Sequence, residues 1–334
     1  MVKCYPVLCG IFFIVLILST PACQSAKKTV TPRRLAVVAS GQSRLTKLDG
    51  LRQGLTERGY VEGVDYTIKL YDAKNNRDQI VPLVEQAVAD QPDLLITLGG
   101  IETDTAKKIV DGSIPIVFIG VADTVYWGIV DSFQHPGDNI TGVDNGYVEL
   151  TGKRLEYLTM FLPQVHNVLL LYSENIIPSK AAESQAVQIA PQLGLNLIAR
   201  SVNRVDDLQT LCMQLDPTTI DAIVIVPSFI LENAAPSILL PQATAAGIPV
   251  IGLNNDAVTG GAFLAYGASF FEMGYQAARL VDKVFQGTTV GNIPVEFPDL
   301  PQVSVNLDVA RQLKITLPPE TLPLIDQPIS ESLQ

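Results

Sequence analysis

The chain has 334 residues, of which 47% are hydrophobic and 17% charged, so it is long enough for two folded domains of ordinary size. Lys and Arg total 23 against 34 Asp and Glu, and this net charge of −11 argues against nucleic acid as a partner, because nucleic-acid binders need clustered cations. Only two histidines, His135 and His166, are present, which nearly excludes His-based metal sites, and the four cysteines form no disulfide framework.

Residues 1–22 are typical of a signal peptide. An apolar run, Val7–Leu18, follows Lys3 and is shorter than the ~20 residues needed to span a bilayer. Small residues then lead to Cys23, and the polar stretch 23–33 is predicted to be a tether. This arrangement indicates a bacterial lipoprotein with Cys23 as its lipidated residue. Thr20 stands where such signals usually have Leu, and the alternative is an ordinary secretory signal that is cleaved nearby.

From Arg34 onward, apolar β-branched runs alternate with amphipathic segments of helix length. This alternation predicts parallel sheets that are covered by helices on both faces. In the first half the predicted strands and helices are Leu35–Ala39, Thr46–Arg58, Tyr66–Tyr71, Arg77–Asp90, Leu94–Leu98, Glu102–Val110 and Ile116–Ile119. In the second half they are Glu149–Phe161, Val168–Tyr172, Ser179–Leu193, Asn196–Arg200, Val205–Leu215, Ala222–Val226, much of Leu231–Ala246, and Val250–Gly252.

The two halves also share short stretches of similar sequence. Gln91–Ile96 parallels Thr219–Val224, and Ser113–Val117 parallels Gly247–Ile251, which predicts two Rossmann-like lobes in tandem. Ligands of such sheets bind beyond the carboxyl ends of the strands, so two facing lobes share one cleft that closes by a hinge motion. The predicted cleft loops are Ser40–Arg44, Leu98–Ile101, Gly120–Thr124, Ser173–Ile177, Pro227–Ile230 and Leu253–Asp256.

The usual signatures of catalysis and cofactor binding are missing. No G-x-G-x-x-G turn, Walker A loop or G-x-S-x-G elbow is present, and no metal-ligand cluster is apparent, so neither a cofactor nor enzyme activity is expected. Cys212 has no histidine nearby in sequence and is predicted to be a buried, inert thiol. Trp127, Tyr172 and Phe229 follow or end strands, where they could form an apolar ligand face or simply pack between elements.

Several stretches resemble bacterial ABC-transporter substrate-binding lipoproteins of the tryptophan/tyrosine-type family. They are Ile114–Phe118, Gln134–Val143, Gly267–Gly274, Asn292–Glu296, Val305–Ala310 and Ile315–Pro318. The resemblance implies a type I periplasmic-binding-protein fold, an α/β fold whose two lobes are joined by a three-stranded hinge. Lobe 1 is then expected to comprise residues 34–144 plus 264–300, and lobe 2 residues 145–263 plus 301–325.

The resemblance also implies the function and its setting. A monomeric binding protein of an ABC importer would be exported and held on the outer side of the cytoplasmic membrane, in the periplasm or at the cell surface, through lipidated Cys23. It would close on a small organic ligand, amino-acid-like or aromatic, and deliver it to an ABC permease. A ligand-binding sensor of a signalling system is the alternative. A repressor would need an N-terminal helix-turn-helix, and an apolar leader stands there instead.

The ligand-binding positions that the resemblance implies lie in the cleft loops. They are Ser40, Gly41, Gln42, Gly99, Gly100, Ile101, Ala122, Asp123, Asp144, Tyr172, Ser173, Ser228, Phe229, Asn254 and Asn255. Amino-acid-binding members tend to have Asp where this chain has Phe229. A buried ammonium group needs a carboxylate partner, so this difference predicts a less polar or differently charged ligand, with Asp123 or Asp144 meeting any cationic or hydroxyl group.

Overall fold

Parallel strands organise the part of the chain that the computed structural model describes, which is residues 1–3, 31–137 and 139–330. Cys23, and the predicted signal peptide and tether over residues 4–30, lie outside the described residues and stay predictions. The tether was predicted to end at residue 33, but Arg33 already begins the first strand, where it pairs with Tyr66. Residues 32–330 belong to one compact unit.

A five-stranded sheet forms the first half of the described chain, and all its strand pairs are parallel. Its strands, in the spatial order β2-β1-β3-β4-β5, are β1 (Arg33–Ala39), β2 (Tyr66–Asp72), β3 (Leu94–Thr97), β4 (Ile116–Val121) and β5 (Ile140–Asp144). The first four confirm the sequence prediction. The fifth was not predicted, because Gly142 interrupts its short apolar run.

A seven-stranded sheet forms the second half, with the spatial order β12-β11-β10-β9-β8-β6-β7. Its strands are β6 (Asn167–Tyr172), β7 (Asn196–Ser201), β8 (Ala222–Ile225), β9 (Val250–Gly252), β10 (Leu264–Gly267), β11 (Gln302–Asn306) and β12 (Gln327–Ile329). The pair β10–β11 is antiparallel and the other pairs are parallel. The prediction of parallel sheets in two lobes is confirmed, with β10–β11 as the one antiparallel pair among the described strands.

Helices cover both faces of each sheet, as the uninterrupted apolar strands predicted. Leu35 and Val37 point into one core cluster, and Ala36 and Val38 point into another on the opposite face. The helices are α1 (Leu45–Glu57), α2 (Ile80–Ala89), α3 (Gly100–Ile109), α4 (Thr151–Phe161), α5 (Ile177–Ile189), α6 (Val205–Cys212), α7 (Phe229–Ala234), α8 (Leu240–Ala245), α9 (Asn255–Thr259), α10 (Phe270–Phe285) and α11 (Leu307–Gln312). A π-helical turn, Ala235–Leu239, joins α7 to α8.

We call the five-stranded sheet with α1, α2, α3 and α10 lobe 1, and the seven-stranded sheet with α4 to α9 and α11 lobe 2. The chain passes between them after β5, after β10 and before β11. Lobe 1 was expected to resume at residue 264, but Leu264–Gly267 hydrogen-bonds to β9 and β11 and belongs to lobe 2. The return to lobe 1 comes at α10, and lobe 2 extends past the expected end at residue 325 to include β12.

Helices α1 and α10 pack at the closest distance that backbones allow, and glycines make this possible. A Cβ added at Gly50 would lie 2.0 Å from the carbonyl oxygen of Phe271, and one at Gly274 would lie 1.8 Å from that of Lys47. Both neighbours are backbone atoms of a facing helix, so neither can move aside alone. This contact holds α10 on lobe 1 and fixes the helix that carries Arg44 and Lys47 at its start.

Gly274→Ala is therefore expected to lower the free energy of unfolding by about 3 kcal/mol, the upper end of the usual cost of overpacking. Urea denaturation monitored by circular dichroism measures the change. Gly260→Ala is the matched control, because its φ of −74° suits alanine and its added Cβ would meet no atom closer than 3.4 Å. Equal stability of the two variants would contradict this account of the helix pair.

Candidate functional site

A cavity of about 420 Å³, partly open to solvent, lies between the carboxyl ends of the strands of the two lobes. We call it the cleft cavity. Its walls are Arg44, Gly100, Ile101, Gly120, Ala122 and Trp127 from lobe 1, Asn145 from the first crossing, and Ile176, Pro178, Pro227, Ser228, Phe229 and Glu232 from lobe 2. The position agrees with the rule that ligands of open α/β sheets bind beyond the strand ends.

Five of the predicted ligand-binding residues line this cavity. They are Gly100, Ile101, Ala122, Ser228 and Phe229. Phe229 was expected in a loop, but it is the first residue of α7, because the Ser228 side chain caps that helix by accepting from the Leu231 amide at 3.5 Å. Trp127 covers Gly100 so closely that an added Cβ would lie 2.2 Å from its ring. This contact explains why a larger residue such as threonine is absent at position 100.

The other predicted residues lie near the cavity without lining it. Ser40 is buried behind Glu102, Gly41 is covered by Asn75, and Gln42 is exposed. Ser173 bonds to Ser228, with 2.6 Å between the two Oγ atoms, and lines a smaller pocket beside the cleft cavity. The remaining five, which the structure places outside the cavity wall, are Gly99, Asp123, Tyr172, Asn254 and Asn255.

Asp144 was expected to face the ligand, but the structure places it outside the wall of the cleft cavity. Its side chain is fully buried and its carboxylate is already used: Oδ2 accepts from the Thr124 amide and hydroxyl at 2.8 Å, and Oδ1 accepts from the Gly146 amide at 2.9 Å. These bonds tie the loop after β4 to the first crossing between the lobes. Asp144 therefore positions the cleft loops from behind the cavity wall.

Burial raises the pKa of Asp144 to about 6. The folded chain thus holds this proton more tightly than the unfolded chain, whose carboxyl ionises near 3.8. Stability from this group is fully present at low pH and is lost as the pH rises from about 4 to 6, by up to about 3 kcal/mol. Asp144→Asn should flatten that fall, measured as urea-unfolding free energies between pH 4 and 7. A fall that persists unchanged in the variant would exclude Asp144 as its source.

An ion pair that sequence reasoning missed joins the two lobes across the cleft. Arg44 Nη2 donates to Glu232 Oε2 at 3.1 Å, and the two side chains are only 7% and 17% exposed. Beside them, the Ser43 hydroxyl donates to Asn233 Oδ1 at 3.2 Å. The Arg44 Nε–H is buried without a hydrogen-bond partner. Arg44 and Glu232 therefore present opposite charges to the cleft cavity, one from each lobe.

Two further charged side chains, Glu102 and Lys47, are buried near Arg44. Glu102 is 1% exposed and accepts from the Ser40 amide at 2.6 Å. Although burial opposes the charge on Arg44, the carboxylates of Glu232 and Glu102 raise its pKa. Lys47, one turn further along α1, donates to the carbonyl oxygens of Leu98, Ile119 and Gly120 at 2.8, 3.0 and 3.4 Å. It thereby ties together the carboxyl ends of β3 and β4, which form the floor of the cleft.

The sequence held a partial signal for these residues. Arg44 ends one of the predicted cleft loops. Glu232 lies three residues after Phe229, so the helix that Ser228 caps brings Phe229 and Glu232 onto one face. Pairing Arg44 with Glu232 requires the relative placement of two lobes, which no local pattern encodes.

Within the described residues, no group of His, Cys, Asp and Glu side chains is placed to hold a metal ion. Cys212 is buried, with burial raising the pKa of its thiol, in agreement with an inert role. In the part of the chain that the structure describes, none of the helices has the length and apolarity to span a bilayer. The cleft cavity has the aromatic side chains of Trp127 and Phe229 on its wall and one charge of each sign.

Comparison with known proteins agrees with this geometry. The family model described as ABC transporter substrate binding protein matches residues 34–328. A tyrosine-binding protein of Clostridioides difficile is 24% identical over 293 residues, which are 86% of this chain and 83% of that protein. The fold confirms the predicted type I periplasmic-binding-protein architecture.

Two solved structures have the same fold. A conserved domain protein from Vibrio cholerae superposes with a TM-score of 0.81 at 23% identity and covers 89% of this chain and 99% of its own. The ABC domain from Streptococcus pneumoniae in complex with L-Trp also gives a TM-score of 0.81, at 18% identity, and covers 90% and 100% of the two chains.

Proposed function

Because the chain belongs to the family of ABC transporter substrate-binding proteins, we propose that it binds a zwitterionic, amino-acid-like ligand with an aromatic or apolar group. In this proposal it serves an importer, closing its lobes on the ligand outside the cytoplasm and handing it to a membrane permease. Members of this family are binding proteins and not enzymes, as the sequence predicted.

The Arg44–Glu232 pair is the observation that carries the proposal. A zwitterion offers a carboxylate to Arg44 and an ammonium group to Glu232, so it can enter between the two side chains without leaving either buried charge unpaired. An uncharged ligand would separate the two charges and compensate neither. A ligand with two opposite charges is therefore favoured over one with a single charge or none.

Glu232 also removes the reason for expecting a ligand without an ammonium group. That expectation rested on Phe229 standing where amino-acid-binding relatives tend to have Asp. Glu232 lines the same cavity as Phe229, one helical turn further on, and supplies a carboxylate there. Phe229 and Trp127 give the cavity aromatic surface, and Ile101 and Ile176 add apolar side chains to the same wall.

The names of two relatives support the same class of ligand. One is a tyrosine-binding protein, and the structure of another holds L-Trp. Both amino acids are zwitterions with an aromatic side chain, the combination that the charges and aromatic wall of this cleft fit.

Isothermal titration calorimetry of the purified protein with L-phenylalanine, L-tyrosine and L-tryptophan tests the proposal. We expect binding of at least one of them. Trp127 is the only tryptophan of the chain and lines the cavity, so L-phenylalanine binding should also change the intrinsic fluorescence. Trp127→Phe is the control, because it removes the signal at its source. Failure of all three amino acids, and of a series of aliphatic ones, to bind would overturn the proposed ligand class.

The transport step needs a separate measurement in cells. Uptake of the radiolabelled ligand should fall when the gene is deleted and return when it is restored. Undiminished uptake in the deleted strain, together with tight binding in vitro, would favour the alternative role of a sensor.

A further inference from the structure

A second cavity, of about 570 Å³ and also partly open to solvent, lies on the other side of Glu232 from the cleft cavity. We call it the aliphatic cavity. Most of its wall is apolar and comes from lobe 2, including Ile225, Leu231, Leu240, Leu253 and Ala262, with Phe270 closing one side. Ligand pockets are concave and lined mainly by apolar side chains, so a partly open apolar space next to a binding cleft is a candidate subsite for an apolar group.

The contacts between the lobes separate the two cavities. Glu232 lines both, whereas Arg44 lines only the cleft cavity and its neighbour Ser43 lines only the aliphatic one. The partition is thus the Arg44–Glu232 ion pair together with the Ser43–Asn233 hydrogen bond. These are the contacts that a zwitterion between Arg44 and Glu232 would replace, so a ligand that enters there has access to both spaces.

Positive and negative side chains are distributed unequally between the two cavities. Arg44 is the cation on the wall of the cleft cavity. The aliphatic cavity is lined by two carboxylates, Glu232 and Asp256, and among the described residues no Lys, Arg or His side chain lines it. Asp256 Oδ2 accepts from the Phe270 amide at 2.9 Å and from Asn254 Nδ2 at 3.1 Å. A ligand is therefore expected to point its carboxylate towards the cleft cavity and its ammonium group towards the aliphatic cavity.

The backbone beside the aliphatic cavity is itself unusual. Ala235 and Pro236 line it from the π-helical turn Ala235–Leu239, which interrupts the helical run between α7 and α8. Single π-helical turns are rare and occur frequently at functional sites. This turn on the cavity wall distinguishes the region independently of the cavity's size and charge.

Building on the proposed function, we propose that the ligand is a dipeptide that spans both cavities. Its C-terminal residue, aromatic, lies in the cleft cavity with its carboxylate on Arg44. Its N-terminal residue, aliphatic, lies in the aliphatic cavity with its ammonium group near Glu232 and Asp256. Free aromatic amino acids fill only the first cavity and bind more weakly.

Calorimetry with four probes tests this inference: L-leucyl-L-phenylalanine, glycyl-L-phenylalanine, L-phenylalanyl-L-leucine and free L-phenylalanine. We expect Leu-Phe to bind about 10- to 100-fold more tightly than Gly-Phe, because the leucine side chain buries apolar surface that glycine lacks. Phe-Leu should bind more weakly than Leu-Phe because it reverses the order of the side chains. Leu-Phe binding no tighter than Gly-Phe would overturn the proposal.

Filling the aliphatic cavity provides the matched control. Ala257 is half-buried on the wall of this cavity, and Ala257→Leu would fill part of it. The affinity of the variant for Leu-Phe should therefore fall to its affinity for Gly-Phe. Unchanged binding of Gly-Phe shows that the variant is folded. Ser43→Leu, on the facing lobe, should act in the same direction and replaces Ala257→Leu if that variant fails to fold. An unchanged ratio of the two affinities would contradict the inference. If free L-phenylalanine, L-tyrosine or L-tryptophan binds and no dipeptide does, the proposed function stands and the dipeptide is excluded. If no dipeptide binds and the free aromatic and aliphatic amino acids also fail to bind, both proposals are overturned.

Discussion

Between about pH 7 and pH 10 the folded protein is expected to gain stability relative to a Lys47→Met variant. Lys47 is fully buried, and burial, followed by the nearby charge of Arg44, lowers its pKa from 10.5 to about 7. The unfolded chain therefore binds this proton more tightly than the folded chain, so raising the pH favours folding across the interval between the two values. The full difference corresponds to about 5 kcal/mol.

Urea-unfolding free energies at unit steps from pH 6 to pH 10 measure this gain. The wild-type curve should rise relative to that of Lys47→Met above pH 7 and run parallel to it below pH 7, where the lysine is charged in both states. Tyr147 also titrates abnormally, but burial raises its pKa well above 10, outside this interval. Lys108→Met is the control, because that side chain is 71% exposed. Parallel curves throughout for wild type and Lys47→Met would refute the assignment.

The position of Lys47 explains why its titration matters to the site. Its ammonium group bonds to the carbonyls of Leu98, Ile119 and Gly120, and Gly100 and Gly120 of the same two loops line the cleft cavity. Loss of the proton removes a donor from these carbonyls. Stability gained at alkaline pH is therefore accompanied by a looser cleft floor, and ligand affinity should not rise in parallel with stability.

The lobes could be predicted from the sequence because burial on both faces leaves an unmistakable pattern. Strands such as Leu35–Ala39 and Val168–Tyr172 are continuous apolar runs, since alternate residues enter different cores. Strand β5 was not predicted because a glycine, Gly142, interrupts its apolar run. Gly142 lies directly against Phe118, where an added Cβ would come within 2.2 Å of a carbonyl oxygen. The packing that requires glycine there is a contact between strands, and a single strand's sequence does not reveal it.

The site was less predictable than the fold because its charges act in combination. The strand-end rule selected Gly100, Ala122 and Phe229, which line the cavity in the structure. It also selected Asp144, which bonds to Thr124 and Gly146 and does not line the cavity. A carboxylate at a strand end can cap a loop as well as face a ligand, and the sequence does not distinguish the two. Arg44 and Glu232 are 188 residues apart in the chain. Their partnership depends on how the lobes face each other.

The charges of Arg44 and Glu232 should affect ligands in a crossed pattern. Arg44→Met is expected to weaken binding of L-tryptophan and of indole-3-propionate, which both carry the carboxylate that Arg44 meets. Glu232→Gln is expected to weaken binding of L-tryptophan and of tryptamine, which both carry the ammonium group. Each loss should be roughly 30- to 1000-fold, the usual cost of removing one partner from a buried, hydrogen-bonded charge pair.

Calorimetry with the three ligands and two variants reads this pattern directly. The affinity of indole-3-propionate should change little in Glu232→Gln, because this ligand has no ammonium group for the Glu232 carboxylate. The affinity of tryptamine should change little in Arg44→Met, because tryptamine has no carboxylate for Arg44. Glu174→Gln and Arg52→Met are matched controls that change equivalent groups away from the cavity wall. If both variants weakened all three ligands equally, the pair would act only by holding the lobes together. A crossed pattern instead requires that each charge meets its own group on the ligand, because lobe closure alone does not distinguish a carboxylate from an ammonium group.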